Sequence, residues 1–553
     1  MRAWDLIALA VLAAGFTSYV SAQTASSQSS SPAASAPSAV PGSEACAGCH
    51  SEIYRSYKKT AMAGASGAAG DGLTTGEFVD KKSGVTYRVF EREGRVWMSY
   101  ERDGELRGER ELEYFIGSGK KGRTYLFSDD GYLFEAPINW YSQEGRWNMT
   151  PAYTEAKEIP MNLPSYSSCL NCHTSGLQPR VAGTRNKFSG KPYLHDGITC
   201  ERCHGAGEGH LEGKGGIVNP AKLPAERRDG ICMECHFEGT VAVGQPGKHL
   251  YQFQPGDRLA DDIHYFVLGG NQPPAAEALS QYQALSLSMC KRKSGDKMWC
   301  GSCHDPHAEP AAADKAAYYR GKCVACHGEA FAAKHNPHKP DCTQCHMPPL
   351  PSTDVAHTQA TDHRILRNPM AAQPALISAG PRLEPFPENE APLLTDRDLA
   401  LAWEGLAQRG IEGASRESVE YLRKAVKESP DDPTLLSALA FMEQQEGRDE
   451  EARELYERTL KIRPRSNTAA TNLGILEARS GHLRRAVELW QPAFERVPYR
   501  SAIGMDLAMA FCVAGQKDEA RRYVERVLEF NPDFGKARQL LAHMDDRQGQ
   551  CKP

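Results

Sequence analysis

Hydrophobic and polar positions along this chain follow two clear rhythms and, between them, lose any rhythm at all. From about Leu399 onward the pattern repeats every 34 residues. Pro430, Pro464, Pro498 and Pro532 share one phase, and Gly413, Gly447, Gly481 and Gly515 a second. Ala452, Ala486 and Ala520 share a third, with Ser418 in the first repeat. That period predicts four helical hairpins: Gly closes each first helix, the small residue packs between helices, and Pro ends the second. Tyr456 and Trp490 fill the large position of the second helix, and the segment after Pro532 is expected to form a capping helix. The other rhythm is strict alternation. Val85, Tyr87 and Val89 alternate, as do Val96, Met98 and Tyr100, with Arg-Glu-Gly-Arg between them. Asp130-Gly131 separates Tyr125-Leu126-Phe127 from Tyr132-Leu133-Phe134. These are hairpin signals and predict a small antiparallel β insertion at about residues 77–150. Gly117-Ser118-Gly119-Lys120-Lys121-Gly122 lacks phosphate-loop spacing and is expected to be a plain basic turn.

Elsewhere a different pattern takes over. C-x-x-C-H occurs at Cys46-Cys49-His50, Cys169-Cys172-His173, Cys200-Cys203-His204 and Cys232-Cys235-His236. It returns at Cys300-Cys303-His304, Cys323-Cys326-His327 and Cys342-Cys345-His346. Chance predicts only about 0.02 copies of such a motif in a chain of this composition. In one helical turn, residues i, i+3 and i+4 share a face. Two thiols can then form thioethers to the vinyl groups of a haem, and the adjacent imidazole reaches the iron. Zinc would pair one C-x-x-C with another and would not need His after each. A redox dithiol would not recur seven times, and disulfides would not confine fourteen Cys to this motif. The expectation is seven covalently attached haems c. Six of the motifs fall between Cys169 and His346, a density at which porphyrin faces must replace a side-chain core and haems must lie close together.

Eleven of the 18 His lie outside the motifs. His482 and His543 fall in the repeats and are expected to be ordinary helix residues. His195, His210, His249, His264, His307, His335, His338, His357 and His363 belong to the motif-rich region, enough to make six-coordinate bis-His iron the leading expectation. His210 and His307 each follow a motif too closely to curl over the same haem, so each can reach a neighbouring one. His357 and His363 can reach back in the same way. The first motif has no nearby spare His. Met62, in Tyr-Lys-Lys-Thr-Ala-Met, is either its sulfur ligand, which would raise the potential, or a core residue.

The remaining composition sets bounds. The chain has 553 residues, 24% of them charged, and a net charge of −5, which gives no reason to expect nucleic acid. Residues 1–22 are expected to be a secretory signal ending in Val20-Ser21-Ala22. Residues 23–43 form a Ser/Ala/Pro spacer, and 371–394 a Pro-rich one. The multihaem region spans 44–370 and the repeats, with their cap, 395–553. The mature chain carries no membrane-spanning stretch and is expected in the periplasm or at the outer surface. Of the three Cys outside the motifs, Cys290 has no evident role, Cys512 is expected to be a small buried apolar residue, and Cys551 is left over.

The motif region resembles the doubled-CxxCH multihaem cytochromes related to the nitrification tetrahaem cytochrome c and to hydroxylamine-oxidoreductase-type proteins. More narrowly, it resembles exported bacterial multihaem cytochromes with C-terminal tetratricopeptide repeats, whose period the 34-residue pattern matches. The matching pieces are Ile116-Gly117-Ser118-Gly119 through Tyr125-Leu126-Phe127, and Gly197-Ile198-Thr199-Cys200-Glu201-Arg202-Cys203-His204-Gly205. Cys303-His304-Asp305-Pro306-His307, Cys345-His346-Met347-Pro348 and Thr361-Asp362-His363-Arg364-Ile365 match as well. The resemblance implies His210, His307, His357 and His363 as distal ligands, with His338, or less favourably His335, and Met62 near where such members carry ligand candidates. It covers nearly all of the mature chain.

The expected fold is mainly α: a haem-packed cytochrome region with a small antiparallel β insertion, then a tetratricopeptide α-hairpin superhelix. The expected function is electron transfer along the haems, with the repeats docking a redox partner protein. Two alternatives stay open. One is an oxidoreductase acting on a small nitrogen or sulfur compound at one five-coordinate haem, since six distal candidates serve seven irons; no C-x-x-C-K motif accompanies it. The other is a repeat-based assembly scaffold with structural haems.

Overall fold

The computed structural model describes residues 41–104, 106–237, 239–249, 252–269, 280–335, 341–349, 361–368, 382–545 and 551. The signal-peptide expectation, most of the first spacer, residues 371–381 of the second, His338 and His357 lie outside the described residues. Among the described residues no helix is long and apolar enough to cross a membrane.

Among the described residues, nine strands lie between the first and second motifs: β1 (Ser66–Ala68), β2 (Gly76–Val79), β3 (Thr86–Arg92), β4 (Arg95–Arg102), β5 (Leu106–Leu112), β6 (Tyr114–Ile116), β7 (Gly122–Asp129), β8 (Tyr132–Tyr141) and β9 (Arg146–Met149). They form two antiparallel sheets, ordered β2-β3-β4-β5 and β1-β6-β7-β8-β9. Pairing thus begins upstream of the expected start, because β1 adds to the edge strand β6. The alternation puts Val85, Tyr87, Val89, Met98 and Tyr100 in the core, with Tyr87 opposite Tyr100. Both hairpin turns need positive φ at two successive residues, supplied by Glu93-Gly94 and Asp130-Gly131.

Past β9 the chain becomes short helices and loops. The motif helices are α1 (Glu44–Ala47), followed by α2 (Ser51–Tyr57), α3 (Ser167–His173) and α4 (Glu201–His204). Next come α5 (Glu208–Leu211), α6 (Ala225–His236), α7 (Gln281–Leu287), α8 (Met289–Ser294) and α9 (Cys300–Cys303). The series ends with α10 (Lys315–His327), α11 (Glu329–His335) and α12 (Thr343–His346). One small sheet joins β10 (Thr174–Leu177) to β11 (Tyr193–Asp196). Another orders β12 (Val241–Gly244), β13 (Ile263–Leu268) and β14 (Leu383–Phe386). Between Val267 and Ala400 the only buried apolar residue among those described is Ala284.

The C-terminal region is the opposite case. Four hairpins stack: α13 (Asp396–Gln408) with α14 (Ala414–Glu428), α15 (Pro433–Gln445) with α16 (Asp449–Ile462), α17 (Asn467–Arg479) with α18 (Leu483–Arg496), and α19 (Ser501–Val513) with α20 (Lys517–Phe530). Helix α21 (Gly535–Asp545) caps them. Ser418, Ala452, Ala486 and Ala520 are fully buried, the close-approach positions the period requires. Thr395 and Asp398 form a capping box at α13, while Asp432 and Ser466 cap α15 and α17. Cys512 is not a lone apolar side chain: it forms a disulfide with Cys551, their Cα atoms 5.3 Å apart, tying the chain end back to α19.

The repeats pack on the preceding region at both of its ends. Val241, Val243 and Phe266 of the β12–β13–β14 sheet share a core with α13 and α15. At the other end, Tyr132 and Phe134 of β8 each meet Tyr499 and Phe530, with ring centres 5.3–5.9 Å apart. Arg102 pairs at 2.6 Å with Asp533, whose side chain is 3% exposed, and Asp533 also accepts the Ile159 N–H. These contacts use the turns around Pro498 and Pro532, the edge of the helical stack.

Candidate haem sites

Each motif closes a helical turn. The N–H of His50 donates to the Cys46 carbonyl at 2.9 Å, and the same bond links His204 to Cys200, His304 to Cys300 and His346 to Cys342. That turn sets the first Cys and the His on one face. All fourteen motif cysteines are free thiols.

A cavity of about 2620 Å³ runs through the region, well beyond the ~300–1,000 Å³ of an ordinary ligand pocket. Cysteines of the second to seventh motifs line it, with His173, His236, His304, His327 and His346. Four motif histidines face a histidine from elsewhere in the chain. The pairs are His50 with His210 (ring centres 6.3 Å apart, planes 18° apart) and His204 with His307 (5.9 Å, 11°). His304 pairs with His363 (6.2 Å, 23°) and His346 with His335 (5.8 Å, 31°). Two imidazoles on opposite sides of one metal, at bonds of about 2.0 Å each, have ring centres about 6 Å apart.

The rings are held by their other nitrogen. Nδ1 of His204 lies 2.8 Å from the Val218 carbonyl, Nδ1 of His346 lies 2.5 Å from that of Leu366, and Nδ1 of His363 lies 2.9 Å from that of Thr361. The Tyr319 hydroxyl lies 3.3 Å from His304 Nδ1. With Nδ1 engaged, Nε2 is the nitrogen left for a metal, the arrangement that outer partners impose on ligating histidines. Burial holds His236, His304 and His363 below the usual imidazole range, which favours the neutral form a metal needs.

The thiols map which motifs are neighbours. Burial and then the adjacent Cys200 push the Cys46 thiol up to about 12; burial and then Cys342 do the same at Cys323. A hydrogen bond with Cys235, then burial, raises Cys172, and a hydrogen bond with Cys300 does so for Cys232. Cys203 is raised by burial and by Cys235, and Cys303 by burial, with Cys326 contributing. So the first motif adjoins the third, the third the fourth, the fourth both the second and the fifth, and the fifth, sixth and seventh follow in series.

The side chain facing His50 is His210, rather than Met62, whose carbonyl accepts the Ile198 N–H. His335, the second choice beside His338, is the ring that meets His346. His264 is buried 3.5 Å from Asp398, joining β13 to α13. His249 is buried, and His195 lies on β11. Cys290, on α8, is a half-buried thiol lifted by burial and by Cys326. Sequence reasoning missed the residues between the motif cysteines: Asn171, Arg202 and Glu234 meet in one buried cluster.

The residues present fit haem c. The thiols are free, the cavity is large, and the ring pairs have the spacing of axial ligands. Zinc fits less well: among the described residues no group of three or more His, Cys, Asp or Glu gathers around one point.

Comparison with known proteins agrees. Residues 142–205, which hold the second and third motifs, match the family model for cytochrome c554 and c-prime. Residues 434–465 and 471–538 match two tetratricopeptide-repeat models. Among solved structures, the chain is similar to a crystal structure of MamA, with 18% identity over 25% of this chain and 82% of that one and a TM-score of 0.24. It is also similar to MamA 41-end from Desulfovibrio magneticus RS-1, with 19% identity over 28% and 88% and a TM-score of 0.25. No curated protein matches. The chain thus carries a cytochrome c-type domain, which implies covalently bound haem c, followed by tetratricopeptide repeats of the kind that mediate protein interaction.

Proposed function

We propose that this is an exported heptahaem c-type cytochrome that carries electrons, with its repeats holding the conduit and offering a surface to a redox partner. The observation that carries the reading is the set of four His–His ring pairs at 5.8–6.3 Å, each joining a motif His to a His outside the motifs. Bound haem supplies one-electron exchange between Fe(III) and Fe(II). The chain's own residues do the rest. Cys46 and Cys49, Cys169 and Cys172, Cys200 and Cys203, Cys232 and Cys235, Cys300 and Cys303, Cys323 and Cys326, and Cys342 and Cys345 attach the seven groups. His50, His173, His204, His236, His304, His327 and His346 ligate from one side. His210, His307, His363 and His335 would be the second histidines holding the haems of the first, third, fifth and seventh motifs.

The pairing has a consequence for architecture. The segment after the third motif delivers its His to the first, the one after the fifth to the third, and the one after the seventh to the fifth. Each attachment loop is thereby pinned to its neighbour and cannot drift without breaking a ligand. Two histidines at each of those four positions would leave a bound iron no open site for a substrate, which favours electron carriage over catalysis there. The repeats grip the cytochrome region at its two ends, so their role in holding the conduit does not depend on a partner.

The reading is tested on the purified full chain. A haem assay against protein concentration is expected to give seven haems per chain, and the reduced protein is expected to bind carbon monoxide at no more than the three irons outside the four ring pairs. A colourless protein, or one binding carbon monoxide at most of its irons, would overturn it.

A further inference from the structure

The two residues inside each C-x-x-C-H are usually treated as spacers, yet in three motifs the second of them points inward to one place. Arg202, from the third motif, sends Nη2 to Glu234 Oε1 of the fourth at 2.5 Å. The same Nη2 donates to the Asn171 carbonyl of the second motif at 3.1 Å. Asn171 closes the triangle by donating Nδ2 to Glu234 Oε1 at 3.0 Å. The Glu234 side chain is 2% exposed and that of Arg202 17%. The thiol of Cys172 lies 3.7 Å from the Glu234 carbonyl, so the cluster touches the attachment chemistry itself. This is also the branch point of the motif map, where the fourth motif adjoins the second, third and fifth.

We infer that Asn171, Arg202 and Glu234 form a clasp that fixes three attachment loops at the junction of the conduit, and that its buried ion pair sets the relative reduction potentials of the three haems around it. The inference rests on haem attachment at the second, third and fourth motifs. A buried charge close to a haem acts on its potential, because reduction adds one negative charge. Removing the Glu234 carboxylate leaves the Arg202 cation uncompensated and makes reduction easier. Removing the cation, or adding a second carboxylate, makes it harder. These are positioning residues; none of them ligates iron.

The test uses the full chain with haem bound. Haem content is measured first: a wild-type protein without haem defeats the attachment reading itself, separately from this inference. With seven haems present, optical redox titration follows each variant. Glu234→Gln is expected to raise the reduced-to-oxidised ratio of two or three of the seven haems about tenfold at fixed applied potential, or ~59 mV for one electron. Arg202→Met is expected to lower it at the same haems, and Arg202→Met combined with Glu234→Gln to return it toward wild type. The double variant leaves the net charge of the cluster as in wild type, so a shift that persists in it reports lost packing rather than charge. Potentials unmoved with haem content intact, or all variants shifting in one direction, would overturn the inference.

Discussion

The repeats and the motif region solve the same problem in opposite ways. In the repeats, Leu422, Leu435, Tyr456, Leu473, Leu507 and Val524 are 0–1% exposed, and side chains alone fill the space between helices. Between Val267 and Ala400 only Ala284 is buried among the described apolar residues, while a cavity of about 2620 Å³ runs through the region. On the proposed reading, bound haem takes the place of that side-chain core. The repeats are a folding unit of side chains; on the proposed reading, the motif region is a shell for haem.

The sharpest way to break this comparison is to withhold the cofactor. A full chain made without haem attachment is expected to be cut by protease throughout residues 160–368 while the repeats persist. Equal resistance in both regions would show that the motif region holds itself together. The next effect concerns the joint between them. Asp533→Asn leaves the Arg102 guanidinium without its carboxylate in a mostly buried site, with an expected cost of about 3 kcal/mol in urea unfolding. No change would mean that the β insertion and repeats are merely adjacent. Cys512→Ser removes the disulfide and is expected to destabilise the repeats by about 2–3 kcal/mol, with the haem spectrum unaltered.

A smaller effect is carried by pH. Burial pushes the Glu404 carboxyl, on α13, from its ordinary 4.5 up to about 7. Between those values the folded repeats hold a proton that the unfolded chain has released, so stability is highest below about 4.5 and falls as pH rises through about 7. Glu404→Gln is expected to flatten that part of the stability–pH curve. An unchanged slope in the variant would show that Glu404 is not its source.

The difference between the two regions also explains what the sequence made legible. Burial in the repeats recurs at fixed phases, so Ala452, Ala486 and Trp490 announce their neighbours from the period alone. The β-hairpins were equally visible, since Tyr87 and Tyr100 alternate inward about a two-residue turn. The motifs announce attachment through local spacing. Distal ligands depend instead on which loops fold across which: His210 meets His50 and His307 meets His204 from far along the chain, and no local pattern encodes that. Met62 lies near the first motif in sequence, yet the ring facing His50 comes from beyond the third motif. Arg202 and Glu234 were hidden for another reason. They occupy positions that the attachment chemistry leaves free, and only three-dimensional convergence gives them a role. The joint at Asp533 was likewise invisible, because a turn residue reveals nothing about what packs against it.

The central claim is that histidines from separate segments close the irons of neighbouring motifs. It is tested most directly by locating iron through anomalous scattering in crystals of the haem-loaded full chain. The account predicts an iron midway between the rings of His50 and His210, of His204 and His307, of His304 and His363, and of His346 and His335. Irons lying off these midpoints, with the paired histidines unbound, would contradict it.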